Sequence, residues 1–134
     1  MRTFIDSNIP MYAAGAEHPA KKRSVRLLER IATGRIQAVS DAEVFQEILH
    51  RFRAIGRLAD GFRLFDSFLK LIPEILPVTI DDVRNARVIM AENRKLTARD
   101  AIHVAVMRRR GIATIYSFDK HFDEVSDIKR IEPS

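Results

Sequence analysis

Four carboxylates in this 134-residue chain stand at places where a strand ends or a helix begins. Asp6 directly follows the β-prone run Thr3-Phe4-Ile5, and Asp119 directly follows a second such run, Thr114 to Phe118. Asp100 falls in the first turn of an apolar helix opened by Thr97. Glu47 falls in the second turn of a helix capped by Ser40 or Asp41, at the border of its apolar stripe beside Val44 and Ile48. Carboxylates that converge raise one another's pKa, and a hard divalent cation removes that cost. Mg²⁺ or Mn²⁺ takes oxygen ligands, keeps several waters, and often binds through one or two carboxylates together with substrate phosphates. One or two such ions can orient a water and stabilise a leaving oxygen in phosphodiester cleavage. On this basis Asp6, Glu47, Asp100 and Asp119 are the candidate metal ligands and catalytic acids. Each also has a local explanation. Asp6 suits an Asx-turn with Ser7 and Asn8, Glu47 an i,i+4 pair with Arg51, Asp100 a capping box with Thr97, and Asp119 a cap on the turn that follows. These account for the four acids singly but not for their sharing one edge.

That shared edge follows from the elements that must carry them. Strand candidates at Thr3–Ile5, Ile36–Val39, Ile75–Thr79, Thr114–Phe118 and Ile128–Ile131 alternate with helical patterns. Helices are expected from Ala20 to Thr33, from Ser40 or Asp41 to Gly56, from Leu58 to Ile72, from Asp81 or Asp82 to about Asn93, and from Thr97 to Gly111. A short helical turn is expected at Lys120–Glu124. In the helix opened by Thr97, Ala101, Ile102, Val104, Ala105 and Val106 are apolar nearly all round, which predicts a buried helix. Leu58, Phe62, Phe65, Leu69 and Ile72 repeat at helical spacing and predict an amphipathic one, with Phe65 and Phe68 unable to face one core together. Pro77 makes the third strand an edge strand. Strands separated by helices imply a mostly parallel sheet covered on both faces, an α/β fold. Ligands in such folds bind outside the carboxyl ends of the strands. Asp6 and Asp119 lie there directly. A helix leading into a parallel strand starts at that same edge, which brings Asp100 and Glu47 to it as well.

Composition narrows the function classes. There is no cysteine, which excludes disulfides, thiol nucleophiles and cysteine-held zinc or iron. No apolar run approaches the roughly 20 residues needed to span a bilayer. MRTFID carries no signal-peptide pattern, so a single cytoplasmic domain over residues 1–134 with no membrane partner is expected. The net charge is +5, and setting the four acids aside leaves 14 acidic residues against 23 basic ones. An acidic pit on a basic surface suits a polyanionic substrate. The basic residues cluster at Lys21-Lys22-Arg23, at Arg51, Arg53 and Arg57, and at Arg108-Arg109-Arg110; the last run also complements a helix C-terminus.

The segments FIDSNIPMY (4–12), VSDAEVFQEILHR (39–51), LTARDAIHVAVM (96–107) and YSFDKHFDEV (116–125) occur in this order over essentially the whole chain. In that order and separation the chain resembles PIN-domain proteins, most of all the VapC-type ribonuclease toxins of type II toxin–antitoxin pairs. The resemblance implies a five-stranded parallel sheet in the order 3-2-1-4-5 with helices on both faces. It also implies Mg²⁺- or Mn²⁺-dependent cleavage of RNA, a homodimer, and inhibition by a cognate antitoxin protein. Carried over by motif, Asp6 is the first-strand metal ligand, Glu47 the second acid, Asp100 the third and Asp119 the fourth. Glu43, one turn before Glu47, is the alternative second acid, and Asp123 is placed to share the role of Asp119. Ser7, Asn8 and Ser117 are placed to orient Asp6 or a phosphate. Arg51, Arg94, Arg99 and Lys120 are candidates for an RNA-binding rim. His103 is expected to be a buried, hydrogen-bonded histidine, and His121 a rim residue; His18 and His50 show no metal spacing. Two other functions compete with the nuclease. One is a non-catalytic PIN-like RNA-binding module or scaffold. The other is a phosphoacceptor domain using Asp6 with Lys120, which Glu47 and the helical insertion fit poorly.

Overall fold

Phe4 and Ile5 have no solvent exposure, and their strand, β1 (Arg2–Ile5), lies at the centre of the sheet. In the computed structural model, which describes residues 1–134, Phe4 pairs in parallel register with Val39 on one side and Ile115 on the other. The elements in chain order are β1, α1 (Asn8–Ala14), α2 (Lys21–Ala32), β2 (Gln37–Asp41), α3 (Ala42–Ala54), α4 (Leu58–Leu71), β3 (Glu74–Leu76), α5 (Ile80–Glu92), α6 (Ala98–Arg109), β4 (Thr114–Tyr116), a 3-10 turn over Lys120–Glu124, and β5 (Lys129–Ile131). Every strand pairing is parallel, and the order is β3-β2-β1-β4-β5. The fold is the α/β sheet that the resemblance implied. β3 is an edge strand and stops before Pro77, whose missing N–H would break a ladder bond. The chain reverses direction across the sheet between β1 and β4, so a crevice opens beyond their carboxyl ends.

Helix α6 is the buried helix the apolar pattern predicts: Ala101 and the run from His103 to Met107 are all buried. Helix α1 is not among the elements the sequence pattern predicts; it opens with Asn8 and, two residues on, Pro10. Both stand in the first turn, where the backbone N–H groups have no intrahelical partner, so Pro10 costs the helix nothing. The capping boxes also differ from expectation. At α6 only half of one forms: the Thr97 hydroxyl accepts the Asp100 N–H at 3.2 Å. The complete box is at α5, where Thr79 and Asp82 exchange both bonds.

Helix α4 packs on α3 with a different stripe from the one its spacing suggested. Phe62 and Leu69 are exposed, whereas Phe68 is buried and Phe65 half-buried. Phe65 and Phe68 both rest on Phe45, with ring centroids 5.1 and 5.5 Å away, so they do share one contact surface. Gly61 sets how closely the helices approach, because a Cβ there would lie 2.6 Å from the Phe52 Cβ. The core is a single cluster of 27 buried apolar residues that includes Phe4, Val44, Ile48, Val104 and Ile115. No helix is long and apolar enough to cross a membrane.

Candidate metal centre and active site

Asp6 leaves the end of β1 and is held by three neighbours. The Ser7 N–H donates to its Oδ1 at 2.8 Å, the Ser117 hydroxyl to its Oδ2 at 2.6 Å, and the Asn8 amide to its Oδ2 at 3.3 Å. Ser117 is the junction of this edge. Its hydroxyl oxygen also accepts the Asn8 amide at 3.1 Å and the Asp119 N–H at 3.0 Å, which ties the start of α1 to the segment after β4. Asp100 approaches from the first turn of α6, and one ligand atom from each of Asp6, Asp100 and His103 lies within 4.8 Å of the others.

His103, one turn along α6, is fully buried. Its Nδ1 meets Asp41 Oδ2 at 2.8 Å and its Nε2 meets Glu47 Oε1 at 2.6 Å. Ionised carboxylates only accept, so both ring nitrogens must donate, and the ring is an imidazolium. Burial opposes that charge, but Asp41 and Glu47 outweigh it and hold the imidazole well above its ordinary 6.5. An imidazolium has no lone pair for a metal, which leaves oxygen atoms as the donor set. Burial also works against the Glu47 carboxylate, and the bonds from His103 and Ser7 overcome it and lower its pKa; the Ser7 hydroxyl donates to Glu47 Oε2 at 2.7 Å.

At Asp6 and Asp100 the neighbouring donors do not offset the cost of burial. Burial pushes Asp6 up to about 6, against the pull of His103 and Ser117. Burial, then the charges of Asp6 and Asp119, push Asp100 up to about 7. Two crowded carboxylates, each short of counter-charge, could hold a cation between them. The oxygen-only donors suit a hard ion such as Mg²⁺ or Mn²⁺ better than zinc.

The structure brings the four acids named from the sequence to one edge. Asp119 is partly exposed at its mouth and also caps the 3-10 turn, accepting the His121 N–H at 2.9 Å. Glu47 forms its bonds with His103 and Ser7 and none with Arg51. Glu43 is half-buried one turn earlier on α3, where burial raises its pKa. Asp123 turns outward and forks onto Arg130 at 2.9 and 3.2 Å. Arg51 and Arg99 line a groove of about 1320 Å³ that begins at Asn8 and Glu47 and runs between α1, α2, α3 and α4. Arg94 lies elsewhere, in a small depression between α5 and α6 with Val83, Met90 and Ile102. Lys120 is exposed beside Asp119. His103 is the buried, hydrogen-bonded histidine expected, but it touches the site. Asp41 was legible only as a helix cap, and it does cap α3 by accepting the Val44 N–H at 3.0 Å. Its second oxygen serves His103, a role that only the i,i+3 spacing of Asp100 and His103 hinted at.

The family model of the PIN domain matches residues 3–128. Ribonuclease VapC13 of Mycobacterium tuberculosis is 45% identical over 128 residues, which is 96% of this chain and 98% of that protein. Ribonuclease VapC23 of the same organism is 36% identical over 119 residues, 87% of this chain and 91% of that protein. Among solved structures, VapC20 of M. tuberculosis, described as a sarcin-ricin loop cleaving toxin, superposes with a TM-score of 0.76 at 19% identity, covering 92% of this chain and 95% of that one. VapBC2 of Rickettsia felis, solved on a DNA fragment from its promoter, gives a TM-score of 0.77 at 15% identity over the whole of both chains. With its sheet order, its acidic edge and these likenesses together, the chain belongs to the PIN domain family, among the VapC proteins.

Proposed function

We propose that this protein is a divalent-metal-dependent endoribonuclease and the toxin of a toxin–antitoxin pair. The observation that carries this is the pair of under-compensated carboxylates, Asp6 and Asp100, close together at the carboxyl ends of β1 and β4. The naming of its 45%-identical relative as a ribonuclease supports it. Asp6 and Asp100 would hold Mg²⁺ or Mn²⁺, with Glu47 and Asp119 completing the acidic ring. The ion supplies Lewis-acid activation of a water and charge stabilisation at the leaving oxygen.

The protein's own contribution is placement. Ser7, Asn8 and Ser117 fix both oxygens of Asp6, so that carboxylate cannot swing away from the crevice. The His103 imidazolium holds Glu47 ionised and in one rotamer. It also lies 3.9 Å from Asp6 Oδ1, where its charge offsets part of the crowding. Arg51 and Arg99 border the groove beside Glu47 and receive the phosphates that flank the cut, as does Lys120 beside Asp119.

Purified protein incubated with single-stranded RNA in Mn²⁺ or Mg²⁺ is expected to cut it, and EDTA to stop the reaction. Asp6→Asn and Asp100→Asn proteins are expected to lose cleavage at least a hundredfold; equal cutting by either refutes the proposal. Metal-independent RNA binding with no cleavage would point instead to an RNA-binding module. The partners follow from the same proposal: a cognate antitoxin that covers the groove and blocks cleavage, and a second copy of the chain. Solved structures with this fold, among them VapBC2 of Rickettsia felis and a toxin–antitoxin complex from Klebsiella pneumoniae, support the antitoxin. Light scattering of the chain alone tests the homodimer.

A further inference from the structure

A short row of rings leads away from the acidic edge and takes no part in the chemistry above. Phe118 lies between Ser117 and Asp119, and its backbone N–H donates to the Asn8 side-chain oxygen at 3.5 Å. Tyr12, one turn after Asn8 on α1, meets the Phe118 ring edge-on at 5.3 Å and 84°. His18 then stacks on Tyr12, with centroids 4.5 Å apart and planes inclined by 26°. The inner end of the row is closed by the Arg23 guanidinium, 5.1 Å from the Phe118 centroid. The outer end is open, because His18 is exposed.

Neither Tyr12 nor His18 belongs to the apolar core, yet the His18 ring is held in place. Its Nδ1 accepts the Ala20 N–H at 3.0 Å, and its backbone carbonyl accepts the Lys21 N–H at 3.0 Å. The Lys21 ammonium anchors the same loop by donating to the Gly15 carbonyl at 2.6 Å. With Nδ1 accepting, the neutral ring carries its proton on Nε2, at the solvent edge. An exposed aromatic surface with a fixed orientation, beside a site that binds a phosphodiester chain, matches the way proteins hold unpaired bases. Bases stack on Phe, Tyr and His faces with little regard to sequence.

We propose that the outer face of His18, backed by Tyr12, is a stacking platform for an unpaired nucleobase of the substrate RNA. This rests on the nuclease assignment above. One helical turn from Asn8 to Tyr12 advances about 5.4 Å and the His18 ring lies 4.5 Å beyond Tyr12, which at about 3.4 Å per stacked base places the platform about three nucleotides from the acidic edge. A duplex cannot present such a base, so the platform selects single-stranded or looped RNA.

The test uses short single-stranded oligoribonucleotides of mixed sequence, each with one 2-aminopurine at a successive position. Anisotropy reports binding, and 2-aminopurine quenching reports stacking. Wild-type protein is expected to quench the probe at one or two positions. His18→Ala is expected to abolish that quenching and weaken binding about 5- to 150-fold, the range for losing one base–aromatic stack. His18→Phe is expected to restore both, and Tyr12→Leu to reduce both. An abasic site at the quenched position should weaken wild type by the same factor and leave His18→Ala unaffected. RNA binding with no position-dependent quenching, or unchanged binding by His18→Ala, overturns the platform while leaving the nuclease standing. Absence of any RNA binding by wild type overturns the nuclease assignment, and the platform with it. If His18→Ala leaves RNA binding intact and weakens only the cognate antitoxin, the surface is a protein contact and the proposal fails.

Discussion

Replacing Asp100 by Asn should make the metal-free protein more stable at neutral and alkaline pH, although it removes a group proposed to be essential for cleavage. Asp100 has its pKa raised from the ordinary 3.8 to about 7, by burial and by the charges of Asp6 and Asp119. A carboxyl with a raised pKa in the folded state binds its proton more tightly there than in the unfolded chain. The folded state therefore loses stability as pH rises from the unfolded value towards the folded one, and the loss is complete above it. At about 1.4 kcal/mol for each tenfold change in proton affinity, the full cost of ionising Asp100 has a ceiling of about 4 kcal/mol. Part of that repulsion is shared with Asp6 and relaxes when either is neutral, so a gain of about 2–3 kcal/mol for Asp100→Asn near pH 8 is expected. Near pH 5 Asp100 is already protonated in the folded protein, and the gain should shrink to about 1 kcal/mol. For a chain of this size the alkaline gain corresponds to a Tm higher by about 5–10 °C. The assay is thermal denaturation of both proteins in EDTA at the two pH values. A gain equal at both values, or a less stable variant near pH 8, would refute the electrostatic reasoning. Mg²⁺ at a thousandfold excess over Kd should reverse the order, since only wild type gains binding energy, about 4.1 kcal/mol under that condition.

Arg109→Ala leaves Asp82 fully buried without the guanidinium that now bonds both its oxygens, and urea unfolding should show a loss of about 3 kcal/mol. Burial alone would raise Asp82, and Arg109 and Thr79 together lower it instead. The stability it contributes in wild type is thus present above its ordinary 3.8 and lost as pH falls through its lower folded value, a dependence Arg109→Ala should lack. Gly61→Ala should lower stability by about 1–3 kcal/mol through overpacking against Phe52, with no change in metal binding measured by calorimetry. Asp123→Ala should leave RNA cleavage within about twofold of wild type, because its carboxylate is engaged by Arg130, whereas Asp119→Ala should lower kcat by tenfold or more. Calorimetry of Mg²⁺ binding in buffers of different ionisation heat should show proton release near pH 6, where Asp6 and Asp100 still carry protons in the metal-free protein.

What could be read from the sequence was whatever depends on local pattern and on the rule that parallel strands end at one edge. The residues around Asp6, Asp100 and Asp119 declared their elements: short apolar runs, and in α6 a helix apolar nearly all round. What could not be read depends on partners far along the chain. Asp41 looks like a cap because its first bond is three residues away, and its second, to His103, spans 62 residues. The stripe on α4 was misjudged because Gly61 lets α3 come close on a face that spacing alone does not select. Phe68 is therefore buried and Phe62 is left in solvent. The basic run Arg108-Arg109-Arg110 is legible as a complement to a helix C-terminus, but not its partners, Asp127, Asp82 and Glu74 respectively, which lie far along the chain.

The Ser117 junction has a consequence for timing during synthesis. Asp6 is made long before Ser117, but two of the bonds that fix it come through Ser117 and through Asn8, itself bonded to Ser117, and the neighbouring strand β4 begins at Thr114. An emerging chain that already contains Asp6, Glu47 and Asp100 has no central strand beside β1 on that side and no clamp on its first carboxylate. The acidic ring closes only after β4 and Ser117 have emerged, and a chain cut short ahead of β4 keeps Asp6, Glu47 and Asp100 without the Ser117 clamp.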